Sequence, residues 1–528
     1  MARLPTRRAG LWLSALLLLA VVSGQEAQPD RQEYDSRALS HYLDGDFAML
    51  QGDNAAAAAA FRRALRYDHT SATIYLALAE VLMRQNLLAE AQAAAENARR
   101  VQPDDPHVYD FLARNAAARD QTAEALAHLD RWEQLDPGAL EPLFRKASLH
   151  LRQKDFSGAV DTYLRIYDRN PGQEQVLPRA GELALSVGDD ERAYQAYRRL
   201  YRLRKDDHRI TRAYAELCVR TRRVDEALEA YEFLERSGGS TLATTLQLGW
   251  LNVQQGNLSR AQAVLDSLIE QGQRQWDVLN LAGHVAERQG AFQRLATVAS
   301  IMTAVYPDSA AGYLRLASAH SAQRNMEQAI EVLTEARTRF PGNANISYRL
   351  GSMYVGVERY GEAEKQLLAA LELQPGAHHI QHLLATAWSG LGRYSSSDSL
   401  YEIVIQAEDD DAVAMNNYAY SLADRAPVSR RQLAAARKLS RASLKLQPDN
   451  SAFLDTYGWI RYHQKRYRTA RKYITRSLEI NPENPVVLEH LAEVYTRLGK
   501  PAEAETYLVR AEQIRQRRTP SLVRAPAE

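Results

Sequence analysis

The chain has 528 residues, 45% apolar and 25% charged, which is more than one compact core needs, so several domains or a repeat array are expected. Its formal net charge is +1, and Arg3, Arg7 and Arg8 supply three positive charges at the extreme N-terminus, which leaves −2 for the remainder. Overall charge therefore points neither to nucleic acid nor to an anionic membrane, and a lone cysteine, Cys218, excludes an intramolecular disulfide and a multi-thiolate zinc site.

The first element is a targeting segment. A basic start, an apolar run from Leu11 to Val22 and the small residues Ser23 and Gly24 read as a secretory signal peptide over 1–25, followed by a linker over 26–37. The run is short of the roughly 20 residues that span a bilayer. Arg7 and Arg8 suggest twin-arginine export, but Gly10 stands where an aromatic residue is wanted, and no cysteine follows the run to carry a lipid.

From Gly45 onward the chain repeats. Steps of 34 lead through Ala79, Ala113, Ala147, Gly181, Ala215, Gly249, Gly283, Ala317, Gly351 and Ala385 to Ala419; a step of 39 reaches Gly458 and a last step of 34 reaches Ala492. Twelve residues after each lies a second small residue, from Ala57 to Ala504, with Leu295 and Ser397 as the exceptions and Ala436 set five residues later by the long step. Two helices approach closely only where neither carries bulk, so each pair of small residues marks the crossing of a helical hairpin. A proline closes many of the units, as at Pro103, Pro137 and Pro375. The most complete unit, SYRLGSMYVGVERYGEAEKQLLAALELQP at 347–375, places Leu350, Gly351, Tyr354, Tyr360, Ala363, Leu367, Ala370 and Pro375 in a pattern that resembles the tetratricopeptide repeat. The resemblance runs from about Ala38 to Gln516 and implies an all-α, right-handed superhelical solenoid of about 14 helix-turn-helix units, with the first helix of each unit on the concave wall. In that register AAAAAA at 55–60 is helix, and Cys218 is a buried structural thiol.

Between Val176 and Gln275 the closing prolines give way to Lys205, Gly239 and Gln273, and SGGS at 237–240 separates an N-terminal block, 38–239, from a C-terminal block, 240–517; residues 518–528 form a disordered tail. Two basic stretches interleave with tyrosine. Residues 198–223 hold ten basic and three acidic side chains, and residues 461–476 hold seven basic and no acidic ones. Solvated helix faces are the first reading and an acidic protein or anionic envelope surface the second. Nucleic acid is disfavoured because an exported chain meets none and because Tyr197, Tyr214, Tyr467 and Tyr473 fall on buried repeat positions.

In the C-terminal block HHIQH at 378–382 places His378 and His382 on one helical face, but the helix offers no third ligand, so no metal site is assigned. No glycine-rich phosphate loop, nucleophile elbow or HExxH motif occurs, and no enzyme activity or cofactor is expected. What remains is the groove. Tyr348 and Arg349, His382, Asn416, Asn417 and Tyr420, Asp455, Trp459 and Tyr462 fall on its first-helix positions, where Asn and Tyr can pair with an extended backbone and aromatic rings give contact area at low entropy cost. Some members of the family it resembles hold acidic chain termini in a clamp that would need basic residues after Asn417, and Ala452 and Thr456 stand there instead. LADRAPVSRRQLAAA at 422–436 carries the five extra residues of the long step, read as an exposed basic turn with Arg425, Arg430 and Arg431.

NNYAYSLADR, LDTYGW and RLGKPAEAETYL, from the last three units, resemble the C-terminal block of exported bacterial envelope repeat proteins. The expectation is a scaffold of the bacterial cell envelope, periplasmic or attached to the outer membrane, that holds extended segments of protein partners. The alternative is an accessory or regulatory subunit of an envelope secretion or enzyme complex. Peripheral membrane association stays open, and the sequence does not set the oligomeric state.

Overall fold

The computed structural model describes residues 35–407 and 410–518. The expected signal segment, most of the linker and the tail beyond 518 lie outside the described residues. Within them are 28 α-helices, beginning with Ser36–Leu50 and ending with Pro501–Arg518, and they form 14 antiparallel pairs, numbered here 1 to 14 in chain order. Each of the 28 periodic small positions, with Leu295 and Ser397 in the two exceptional places, is buried. Where Ser397 replaces alanine, its hydroxyl donates to the Ala385 carbonyl at 2.7 Å, so the facing small position supplies the partner that a buried hydroxyl requires.

Local signals start and stop the helices. Asp53 accepts from the Ala56 amide at 2.8 Å, and Asp155, Asp189, Asp411, Asn343, Asn450 and Asn484 cap other helices in the same way. Seven residues after the small position of its first helix, each pair except pair 12 turns through a left-handed residue, glycine at Gly52, Gly188, Gly256, Gly290, Gly392 and Gly499 and a polar residue elsewhere.

The contacts divide the chain into two compact units, one up to Ser240 and one from Thr241. In the first, Phe61, Leu82 and Leu112 centre a core that runs through pairs 1 to 3, and Leu129 and Trp132 extend it toward pair 4. Gly239 ends the unit against the His208 ring, where an added Cβ would lie 2.5 Å away. In the second unit, core clusters follow one another along pairs 7 to 14. Within each unit every second helix packs on the first helix of the next pair, and from pair 10 through pair 14 successive first helices also touch one another, more closely than successive second helices there do. First helices that approach while second helices splay give the stack an inner wall of first helices.

Candidate functional site

Pairs 10 to 14 present that wall through the first helices Ala344–Gly356, His378–Gly390, Ala412–Ala423, Ser451–His463 and Pro485–Arg497. Side chains bridge each step. The Tyr348 ring meets His379 edge-on at 4.8 Å, and Asn417 Nδ2 lies 3.2 Å from His382 Nε2. Arg349 is exposed and donates through Nε to Asn345 at 3.3 Å. Burial holds the His382 imidazolium below the usual histidine range, which favours the neutral ring as acceptor for Asn417.

Pairs 12 to 14 build an aromatic stack. The Trp459 indole lies over His490 with centroids 3.9 Å apart and over Tyr462 at 4.6 Å, and its Nε1 donates to Asp424 at 3.3 Å. His490 is held from behind by Asp455, whose two oxygens lie 3.1 and 3.0 Å from its Nδ1. Tyr462 donates to Glu493 at 3.0 Å and accepts from Arg497 Nε at 3.2 Å. Trp459 and Tyr462 are half-buried, so they are preorganised on the wall.

Two other expected groove residues are buried. Asp455 is 6% exposed because it anchors His490, and Asn416 is 5% exposed at the base of a cavity of about 260 Å³. The cavity opens where the C-terminal ends of the first helices of pairs 11 and 12 meet the start of the second helix of pair 10. Tyr360 and Tyr420 line it, and Asp424 is its exposed carboxylate. Gly390 is required here, since a Cβ would fall 2.5 Å from the Tyr360 ring. Deeper in, Tyr401 is fully buried and shares a 2.7 Å hydrogen bond with Thr386. Asn416 Oδ1 is buried and has no hydrogen-bond partner among the described residues.

The long step departs from its expected form. Arg425 is buried rather than exposed: its guanidinium donates to Asp398 through both terminal nitrogens, to the Ser421 carbonyl through Nε at 3.0 Å, and stacks 4.5 Å over Tyr394. Nor do the five extra residues all enter the turn. Relative to pair 11, the first helix is one residue shorter, the turn three longer, and the second helix, Arg430–Leu446, three longer. Sequence reasoning missed His490, Asp424, Tyr360 and the pairing of Arg425. The repeat register marks which helix each belongs to, but burial of a charge depends on an acid, Asp398, 27 residues away.

The two basic stretches differ. Along 198–223, Arg199 pairs with Asp168 at 2.9 Å, Arg223 with Glu191 at 3.0 Å, Lys205 with Glu229 at 3.2 Å and Arg220 with Asp190, so acids of neighbouring helices neutralise much of the charge. Along 461–476, Arg476 pairs with Asp449, while Lys465, Arg466, Arg468, Arg471 and Lys472 are exposed. Cys218 is buried and free, and burial raises its thiol to about 12, as for an inert structural thiol. Among the described residues no group of His, Cys, Asp or Glu is placed to hold a metal ion, and no helix is long and apolar enough to cross a membrane.

Comparison with family models agrees with this architecture. Family models described as tetratricopeptide repeat match residues 133–433, and residues 48–114 and 461–522. A TPR repeat-containing protein of Pseudomonas aeruginosa is 29% identical over 198 residues, 37% of this chain; the match spans 26% of that protein's length. Among solved structures, the APC/C hetero-tetramer Cut9-Hcn1 aligns with 91% of this chain and 94% of its own at 14% identity and a TM-score of 0.39. A tetratricopeptide repeat protein from Parabacteroides merdae aligns with 47% of this chain and 97% of its own at 16% identity and a TM-score of 0.43.

Proposed function

Because the chain belongs to the tetratricopeptide repeat family, whose helix pairs generally bind other proteins, we propose that it is a non-catalytic scaffold of the bacterial cell envelope that grips extended segments of partner proteins and supports their assembly. The observation that carries this reading is the preorganised stack of Trp459, Tyr462 and His490 beside the polar cavity at Tyr420. Half-buried rings fixed before binding lose little entropy on contact, and Asn417 and Tyr420 on the same wall can pair with an extended backbone. Export rests on the basic and apolar pattern of residues 1–25.

The test is selection of displayed random decapeptides on the full mature chain. Peptides are expected to be enriched, and Trp459→Ala and Tyr420→Ala should each weaken a selected peptide about tenfold or more, as loss of a central aromatic contact does. Unchanged affinity in both variants, with unchanged melting temperatures, rejects the wall as the binding surface. N-terminal sequencing of the chain recovered from a periplasmic fraction should begin close to residue 26; a chain that stays in the cytoplasm with residues 1–25 intact removes the envelope from the reading.

A further inference from the structure

The cavity at pairs 11 and 12 holds more chemical information than a generic groove. Its lining carries one carboxylate, Asp424, and one cation, Arg425. Arg425 is already neutralised by Asp398 and covered by Tyr394, so it offers no charge to an incoming group. Asp424 accepts from the Trp459 indole through Oδ1 alone, and its carboxylate is exposed. The phenols of Tyr360 and Tyr420 complete the lining, and aromatic rings attract a cation within about 6 Å. Burial, followed by the negative charges of Asp424, Asp455 and Glu358, pushes the Tyr420 phenol well above its ordinary range. Burial with Glu358 and Asp424 does the same for Tyr360. The local field is negative.

The exposed carboxylate and the aromatic rings together suit a group that carries positive charge, donates hydrogen bonds and has an apolar stem. We propose that this cavity is a socket for one lysine or arginine side chain of the extended segment that the wall binds. Its volume of about 260 Å³ matches this role: drug-sized ligand sites start at roughly 300 Å³, whereas one long side chain fits within the smaller space. The stem lies between the tyrosines and the charged head meets Asp424. The socket rests on the wall-binding reading above and adds a sequence requirement to it, with Asp424 as the specificity-determining residue.

The same decapeptide selection on the full chain tests it, with Asp424→Asn as the variant, because asparagine keeps the Oδ1 acceptor for Trp459 and removes only the charge. Selected peptides should carry lysine or arginine at one fixed position. Asp424→Asn should weaken such a peptide about tenfold, as should norleucine in place of its lysine, and the norleucine peptide should bind wild type and Asp424→Asn alike. Peptides selected without a fixed cation, or a fixed cation whose contribution survives Asp424→Asn, overturn the socket while the wall reading stands. If no peptide is selected, both fall. Titration with cadaverine separates the remaining source of this chemistry: a free diamine that binds in an Asp424-dependent way, while peptides do not, makes the cavity a small-amine site and overturns its assignment to a partner's side chain.

Discussion

Gly458 and Gly249 occupy the same place in the repeat and answer differently to one added methyl group. A Cβ on Gly458 would meet Ile474 Cγ1 at 2.5 Å and the Ala470 carbonyl at 3.2 Å, and Ile474 is itself fully buried. On Gly249 the nearest atoms, in Leu265 and Leu281, lie at 3.6 Å, an ordinary contact. Gly458→Ala is therefore expected to destabilise the chain by about 1–3 kcal/mol through overpacking. Gly249→Ala is expected to stabilise it by about 0.5–1 kcal/mol, because alanine restricts the unfolded chain and suits a helix interior. Urea unfolding midpoints should move in opposite directions, and a common direction would show that the helix crossings in pairs 7 and 13 are alike. The 34-residue spacing made both positions legible as small, but the distance of closest approach depends on Ile474 and Leu265, which the spacing does not rank.

At the scale of elements, pair 12 is the exception. It lacks the left-handed turn residue found in the other pairs, and its second helix starts with a capping box instead: Ser429 Oγ accepts from the Gln432 amide at 3.2 Å, and Gln432 Oε1 accepts from the Ser429 amide at 2.9 Å. Ser429→Ala should lose about 1 kcal/mol of local stability. Hydrogen exchange is expected to speed up in the first turn of Arg430–Leu446 and to stay unchanged in Tyr467–Ile480; equal exchange in both helices would mean that the extra turn is held by packing alone. The insertion was legible as an insertion from its 39-residue step. That Arg425 is structural was not, because its partners Asp398, Ser421 and Tyr394 come together only when pair 12 docks on pair 11. The neighbouring second helices of pairs 12 and 13 also carry exposed Arg437, Lys438, Arg441, Arg468 and Lys472, whereas the basic stretch of pairs 5 and 6 is largely neutralised by acids one repeat away.

At the scale of the whole molecule, stability is distributed over nearest-neighbour interfaces, so small shifts at several interfaces add. Burial lowers the imidazole pKa of His128, His382 and His463. For a histidine whose folded pKa lies below its unfolded value near 6.5, the unfolded chain takes up the proton first. Stability contributed by the neutral rings is thus full above about pH 6.5 and is lost as pH falls through it. Urea midpoints measured at pH 7.5 and pH 5.5 should show the lower value at pH 5.5, and replacing the three histidines together by glutamine should flatten the difference. A midpoint that rises on acidification would contradict the sign of this linkage.

What the sequence alone determined is the repeat: the period, the helical hairpin, the buried small positions and the buried cysteine follow from periodicity, because a fixed local geometry imposes the same steric demand every 34 residues. Which helices form the wall was legible too, since first and second helices alternate in register. What only the tertiary structure decided is the chemistry on that wall: that Asn416 and Asp455 are buried, that His490 carries the Trp459 ring, and that Arg425 is neutralised while Asp424 is exposed. These outcomes depend on side chains that meet across repeats at offsets such as Asp398 to Arg425 and Asp455 to His490, and a burial or charge balance set by such meetings has no signature in either segment taken by itself.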